Sequence, residues 1–169
     1  IDRAAKTVTV VDLASGQAMT EPYDTLVLSP GAGPIRPTSP GSDLPGVFVV
    51  RTIPDTRRIR AWIEERIPAD RKGRVVVVGA GFIGLEMVEN LLARGLQVAL
   101  LEKSPQVMPP LDPEMALPLA DRLRTHGVEL HLGDGLAKIT QTEGGHGALE
   151  VGTESGRTLP ADLVILALG

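Results

Sequence analysis

Three glycines and one acid are the residues in this chain whose types and spacing could do chemistry. Gly79, Gly81 and Gly84 form a G-x-G-x-x-G pattern entered directly from the run Val75-Val76-Val77-Val78. In such a pattern the first glycine permits a tight turn and the second lets the backbone approach a pyrophosphate. The third lets the following helix pack close to the strand. That helix aims its unpaired N–H groups and the positive end of its dipole at the phosphates. Glu102 lies eighteen residues past Gly84, where a carboxylate would accept hydrogen bonds from an adenosine ribose. A carboxylate there repels a 2′-phosphate and so favours NADH over NADPH, while Lys103 beside it could accommodate such a phosphate in part. The plainer alternatives are three turn glycines and an exposed strand-end acid. Strand, helix and acid in register favour dinucleotide binding.

The elements that must position these residues follow from hydrophobic pattern. Four consecutive valines have no polar face, so their strand is buried on both sides, as in a parallel sheet. A helix is expected from about Phe82 to Arg94, closed by Gly95, and a second parallel strand from Leu96 to Leu101. Pro113 to about Thr125 reads as another helix, closed by Gly127, and Val128 to Leu132 as the third strand. Before the valines, Asp55 to about Ile67 reads as a helix with Ile59, Trp62, Ile63 and Ile67 on one face. Leu136–Thr140, Ala148–Gly152 and Thr158–Leu159 read as short antiparallel strands turned by Gly144-Gly145-His146-Gly147 and Ser155-Gly156. Leu163 to Leu168 returns to the parallel sheet. The fold class is α/β, a Rossmann-like doubly wound parallel sheet with an antiparallel β-meander insertion.

Residues 1 to 45 lack that rhythm. Lys6 to Val11 alternates as a half-buried strand with a turn at Ser15-Gly16, and Leu26-Val27-Leu28 reads as a short buried strand. Pro30 to Pro45 is rich in proline and glycine and reads as a crossing loop or linker. The expected organisation is therefore residues 1–45 as a separate segment with linker, then residues 46–169 as the nucleotide-binding domain.

Composition narrows the function classes. The chain has 169 residues and is 43% apolar, with only one Trp, one Tyr and two Phe, so its core is built from aliphatic residues. A net charge of −4 argues against a nucleic-acid partner. No apolar run approaches the ~18 residues of a membrane span, no secretory signal opens the chain, and a cytoplasmic location is expected. Without cysteine there is no disulfide or thiolate chemistry within the chain. His126, His131 and His146 lack ligand spacing, so no metal site is expected. Eight of the seventeen Lys and Arg residues lie between Arg51 and Arg74. They could steer an anionic cofactor, but the interspersed acids favour a solvated helix face.

The order of segments resembles the middle of the FAD- and pyridine-nucleotide-dependent disulfide oxidoreductases. The nearest branch is that of the coenzyme A-disulfide reductases, NADH oxidases and NADH peroxidases. Ile1-Asp2 with Lys6-Thr7-Val8 resembles a hairpin of the flavin domain, and Tyr23 to Leu28 through Gly31-Ala32 resembles the segment beside the flavin's dinucleotide. Ser29-Pro30-Gly31 departs from the family's usual Ala-Thr-Gly. Gly79 to Asn90 resembles the nicotinamide fingerprint, and Glu102-Lys103-Ser104-Pro105 with Met108-Pro109 the second strand's end and loop. Asp162 to Gly169 resembles the return toward the flavin domain.

The resemblance implies that this fingerprint, following a flavin-domain segment, takes NADH rather than FAD. It implies that Phe82 is the aromatic flap over the flavin, and that Glu86 contacts the carboxamide and pairs with a flavin-domain lysine. Ile83 would lie near the cofactor through its backbone, and Gly169 would border it from the returning segment. The alternatives are core packing for Phe82 and stabilisation by a helix N-terminus for Glu86. A first flavin fingerprint, a redox cysteine and an interface domain would lie outside these 169 residues. The parent would be a homodimer passing hydride from NADH to FAD and on to a disulfide, peroxide or oxygen. No catalytic residue is expected within this stretch, which would bind nucleotide without turning it over. Two other classes remain open: a nucleotide-sensing regulatory domain, and the FAD-binding domain of a flavin-only enzyme.

Overall fold

The computed structural model describes residues 1–67, 72–143 and 148–169. The chain divides into two compact units, Ile1–Ala32 and Gly33–Gly169. The first contains an antiparallel hairpin of β1 (Thr7–Val11) and β2 (Ala18–Pro22), with Val10 opposite Met19. The Asp12 carboxylate accepts the N–H groups of Ala14 and Ser15 at 2.9 and 2.7 Å and so fixes the turn. Val10 and Val11 are 43% and 51% exposed, so β1 is not the half-buried strand its alternation implies. Leu26-Val27-Leu28, expected as a buried strand, joins no ladder and is largely exposed. Apolar residues alone do not make a strand; the backbone needs a partner, and among the described residues this segment pairs with none.

The second unit is built on a five-stranded parallel sheet. Its strands are β3 (Val47–Val49), β4 (Arg74–Val78), β5 (Gln97–Glu102), β6 (Glu129–Leu132) and β10 (Leu163–Leu166), in the order β3-β10-β4-β5-β6. Helices α1 (Ile53–Arg66), α2 (Phe82–Ala93) and α3 (Pro113–Thr125) supply Ile59, Val88, Leu91, Ala116 and Ala120 to one core. The other face of the sheet is covered by the meander β7 (Leu136–Gln141), β8 (Leu149–Thr153) and β9 (Thr158–Ala161). The valine run divides between the two: Val75 and Val77 join the helix-side core, Val76 and Val78 the meander side. Period-two alternation with apolar cover on both faces explains why no position in the run is polar.

The α/β class and the meander agree with expectation, and α3 spans the expected residues. The tetrapeptide Gly144–Gly147, expected as a turn, lies outside the described residues, while Ser155-Gly156 does turn, with Gly156 at φ +84°. Strand β3 was not foreseen, and α1 begins at Ile53 rather than Asp55. That earlier start has a local cause. The Asp55 carboxylate accepts the Thr52 N–H at 2.8 Å and the Arg51 N–H at 3.1 Å, a reciprocal cap that draws the first turn forward. These bonds, from Thr52 above all, hold the Asp55 carboxyl well below its usual range. Trp62 on α1 donates its indole N–H to the Asp162 carbonyl at 2.9 Å, tying the helix to the start of β10.

Candidate functional site

Strand order reverses around β4, whose sequence successors β5 and β6 lie to one side and β10 and β3 to the other. A parallel sheet opens a crevice at the carboxyl ends of its strands where the order reverses. The carboxyl end of β4 carries the glycine loop.

Each glycine meets a different demand. Gly79 leaves the strand at φ +103°, and a Cβ on it would lie 2.4 Å from the Ala167 carbonyl oxygen. A Cβ on Gly84 would lie 1.9 Å from the Gly79 carbonyl oxygen, so α2 starts this close to the loop only without a side chain there. A Cβ on Gly81 would meet nothing within 4 Å. Gly81 is also the N-cap of α2, with ordinary extended torsions and no side chain capping the helix. The N-cap thus gives the first-turn N–H groups of α2 no side-chain acceptor, a polarity suited to an anion.

Glu102 ends β5 and is only 9% exposed. Its Oε2 accepts the Ala80 N–H and its Oε1 the Ser104 N–H, both at 2.7 Å. A carboxylate offers about four acceptor positions, so both oxygens retain capacity for a hydroxyl donor. The Ala80 carbonyl accepts the Met108 N–H at 2.8 Å, and Met108 holds φ +47° to deliver it. Ala80 thus joins the glycine loop to both the acid and the Met108-Pro109 loop. Lys103 points its Nζ at Glu154 Oε1, 3.0 Å away.

The remaining sequence-selected residues spread around this centre. Phe82 and Ile83 begin α2 and are 71% and 40% exposed, so Phe82 is not a core residue of this unit. Glu86 lies one turn further on and is exposed. Gly169 follows β10 at φ +129°, and its carbonyl accepts the Ile35 N–H at 2.7 Å. The structure brings Gly79, Gly81, Gly84 and Glu102 into one hydrogen-bonded loop system and leaves Phe82, Ile83 and Glu86 exposed along the start of α2.

Sequence reasoning missed the residues behind Glu102. Asp134 is 5% exposed and donates its N–H to the Glu102 carbonyl at 3.1 Å. Its carboxylate accepts the Ser155 hydroxyl at 2.5 Å and the Ser155 N–H at 2.9 Å. The turn at Ser155-Gly156 was visible, but not that Asp134 would bind it. The Ser155 hydroxyl is the main cause holding the Asp134 carboxyl at about 2, below its ordinary 3.8. A carboxyl depressed by folding stabilises the protein above its unfolded value, and that contribution disappears as pH falls toward the folded value. Thermal melts between pH 5 and pH 2 are expected to show a steep loss of stability below about pH 4. Asp134→Asn should flatten that loss; an unchanged profile would show that the Asp134–Ser155 bonds do not contribute.

Other candidate sites are placed elsewhere. A groove of about 590 Å³ between α2 and α3, lined by Leu85, Val88, Leu92, Leu119 and Leu123, includes none of the fingerprint glycines. His131 is buried with Nε2 2.9 Å from Glu129 Oε1, His126 bonds the Arg122 carbonyl, and His146 lies outside the described residues. Among the described residues no group of three or more metal-ligating side chains stands together. On α1, Arg58 pairs with Asp55, Arg60 with Glu64 at 2.6 Å, and Arg66 stacks 5.0 Å from the Trp62 ring, as on a solvated helix face.

Comparison with known proteins gives this geometry a context. A "NADH oxidase" of Methanocaldococcus jannaschii is 44% identical over 148 residues, covering 87% of this chain and 31% of that protein. A "Coenzyme A disulfide reductase" of Staphylococcus epidermidis is 34% identical over 169 residues, covering all of this chain and 35% of that protein. The solved structure of a water-forming NADH oxidase from Lactobacillus brevis bound to NADH superposes with a TM-score of 0.83 at 35% identity. It covers 100% of this chain and 36% of that one. The chain thus spans about a third of the length of the relatives it matches. The family model described as pyridine nucleotide-disulphide oxidoreductase matches residues 1–169, and with these relatives it makes the chain a member of that family.

Proposed function

We propose that residues 46–169 are the NADH-binding domain of a flavin-dependent oxidoreductase and that residues 1–45 are part of its flavin domain. NADH would supply hydride to FAD, and the electrons would pass to a disulfide, peroxide or oxygen. The observation that carries this reading is the open space at Gly81, at the N-terminus of α2 and beside the loop that Glu102 holds. The α2 N–H groups would receive the pyrophosphate. Glu102 would accept the ribose hydroxyls, and its charge would disfavour a 2′-phosphate. The exposed side chains of Phe82 and Glu86 would face the nicotinamide and flavin, with the Ile83 backbone and Gly169 bordering them. This chain's part is to bind and orient the nucleotide; the remaining FAD and interface regions, in a homodimer, would supply the other redox groups. No helix among the described residues is long and apolar enough to cross a membrane.

Calorimetric titration with NADH, NADPH, FAD and AMP tests the reading. Saturable NADH binding, tighter than NADPH, is the expected result. Tighter uptake of FAD would reassign the fingerprint to flavin. Binding of none of the four would reduce the glycine pattern to a turn.

A further inference from the structure

The residue after Glu102 is a lysine, and in dinucleotide sites a cation near the ribose acid is what accepts a 2′-phosphate. In this structure that cation is already engaged. Lys103 Nζ donates to Glu154 Oε1 at 3.0 Å, and Glu154 arrives from the β8–β9 turn, fifty-one positions later.

The turn is fixed so as to present that carboxylate. The Glu154 N–H donates to the Gly135 carbonyl at 2.8 Å, and the neighbouring Ser155 is held by Asp134 through its N–H and its hydroxyl. The Glu154 carboxylate also occupies the space a side chain at position 135 would need. A Cβ on Gly135 would lie 2.6 Å from its Cδ and 2.7 and 2.8 Å from its two oxygens. Asp134 meanwhile bonds the Glu102 carbonyl, and Gly133 the Ser104 carbonyl, so the turn and the ribose-acid loop are one assembly. The pair itself contributes little to folding, because its side chains are 77% and 50% exposed.

We infer that Glu154 is a specificity-determining residue that acts through Lys103. It holds the ammonium in an ion pair, so that a 2′-phosphate beside Glu102 meets a carboxylate and no available cation. This rests on the proposal that the Glu102 end of the crevice receives the adenosine ribose.

The test compares 5′-AMP with 2′,5′-ADP, which differ by the 2′-phosphate alone, and NADH with NADPH, on the intact protein carrying this chain. Glu154→Gln should leave AMP and NADH affinity within twofold. It should tighten 2′,5′-ADP and NADPH by about fivefold at low salt, the size of one unit-charge interaction at a few ångström in water. That gain should shrink as salt screens it, and Lys103→Ala in the same background should remove it. An unchanged ratio of AMP to 2′,5′-ADP affinity, or a gain that survives loss of Lys103, would overturn the inference. Failure of the unaltered protein to bind either AMP or NADH would instead overturn the dinucleotide reading beneath it.

Discussion

Gly81→Ala is expected to weaken NADH binding by about 30-fold or more while shifting the melting temperature by only a few degrees. The Cβ would meet nothing within 4 Å, and the backbone at φ −81°, ψ −170° suits alanine as well as glycine. At a helix N-cap, alanine is worse than glycine by less than about 1 kcal/mol. The methyl group would stand where backbone and pyrophosphate must come together. Forced separation there costs about 2 kcal/mol or more, which is the stated loss of affinity. Gly84→Ala should behave differently. Its Cβ would lie 1.9 Å from the Gly79 carbonyl oxygen, so α2 must move away from the loop, and overpacking of this kind costs about 1–3 kcal/mol of stability. Thermal melts and calorimetry on the two variants separate the roles: one loses binding alone, the other binding and stability together. A Gly81→Ala protein that binds NADH normally would remove the pyrophosphate from this loop.

What could be read from the sequence was local. The valine strand, the glycine loop and Glu102 are specified by residues near one another, and the structure joins them as their spacing requires. The ends of α3 were legible for the same reason, with Pro113 at its start and Gly127 just past its end. Errors came where an element depends on a distant partner. Val47-Phe48-Val49 forms an edge strand only because β10 runs beside it, with Val47 opposite Val164. Leu26-Val27-Leu28 is as apolar as that segment but joins no ladder among the described residues, and it is largely exposed. Nothing in Ala18-Met19-Thr20-Glu21-Pro22 signals a strand; the Asp12 turn folds it back onto β1.

The same distinction runs through the site. The Gly79, Gly81 and Gly84 pattern was visible, whereas the contacts that hold Glu102's loop from behind were not. Asp134 meets Ser155 across 21 positions and Lys103 meets Glu154 across 51. Short polar residues at two turns look alike in sequence whether or not the turns touch. Folding the meander onto the sheet is what brings them together.

Glu102→Ala should then cost more than one contact to a ribose. It is expected to weaken NADH binding by about 10- to 100-fold, a loss of about 1.4–2.8 kcal/mol, and to lower the melting temperature by several degrees. The stability loss has a specific source. Ala80 is fully buried, and its N–H has Glu102 Oε2 as acceptor at 2.7 Å. Truncation leaves that donor unpaired inside the protein, at about 1–3 kcal/mol. The Ser104 N–H, on a half-buried residue, can turn to water. Glu102→Gln separates the two effects. Its amide oxygen can still accept from Ala80, while its NH₂ group faces the Ser104 N–H and carries no charge toward a ribose phosphate. The glutamine variant should therefore recover part of the melting temperature, and its preference for NADH over NADPH should narrow because the repulsion of a 2′-phosphate is gone. Equal melting temperatures for Glu, Gln and Ala at this position would show that the carboxylate does not brace the glycine loop. A preserved nucleotide preference in the glutamine variant would show that discrimination resides elsewhere. If both change as expected, one carboxylate holds the loop open for the pyrophosphate and selects the ribose beside it, which explains why it is almost buried yet keeps acceptor capacity at both oxygens.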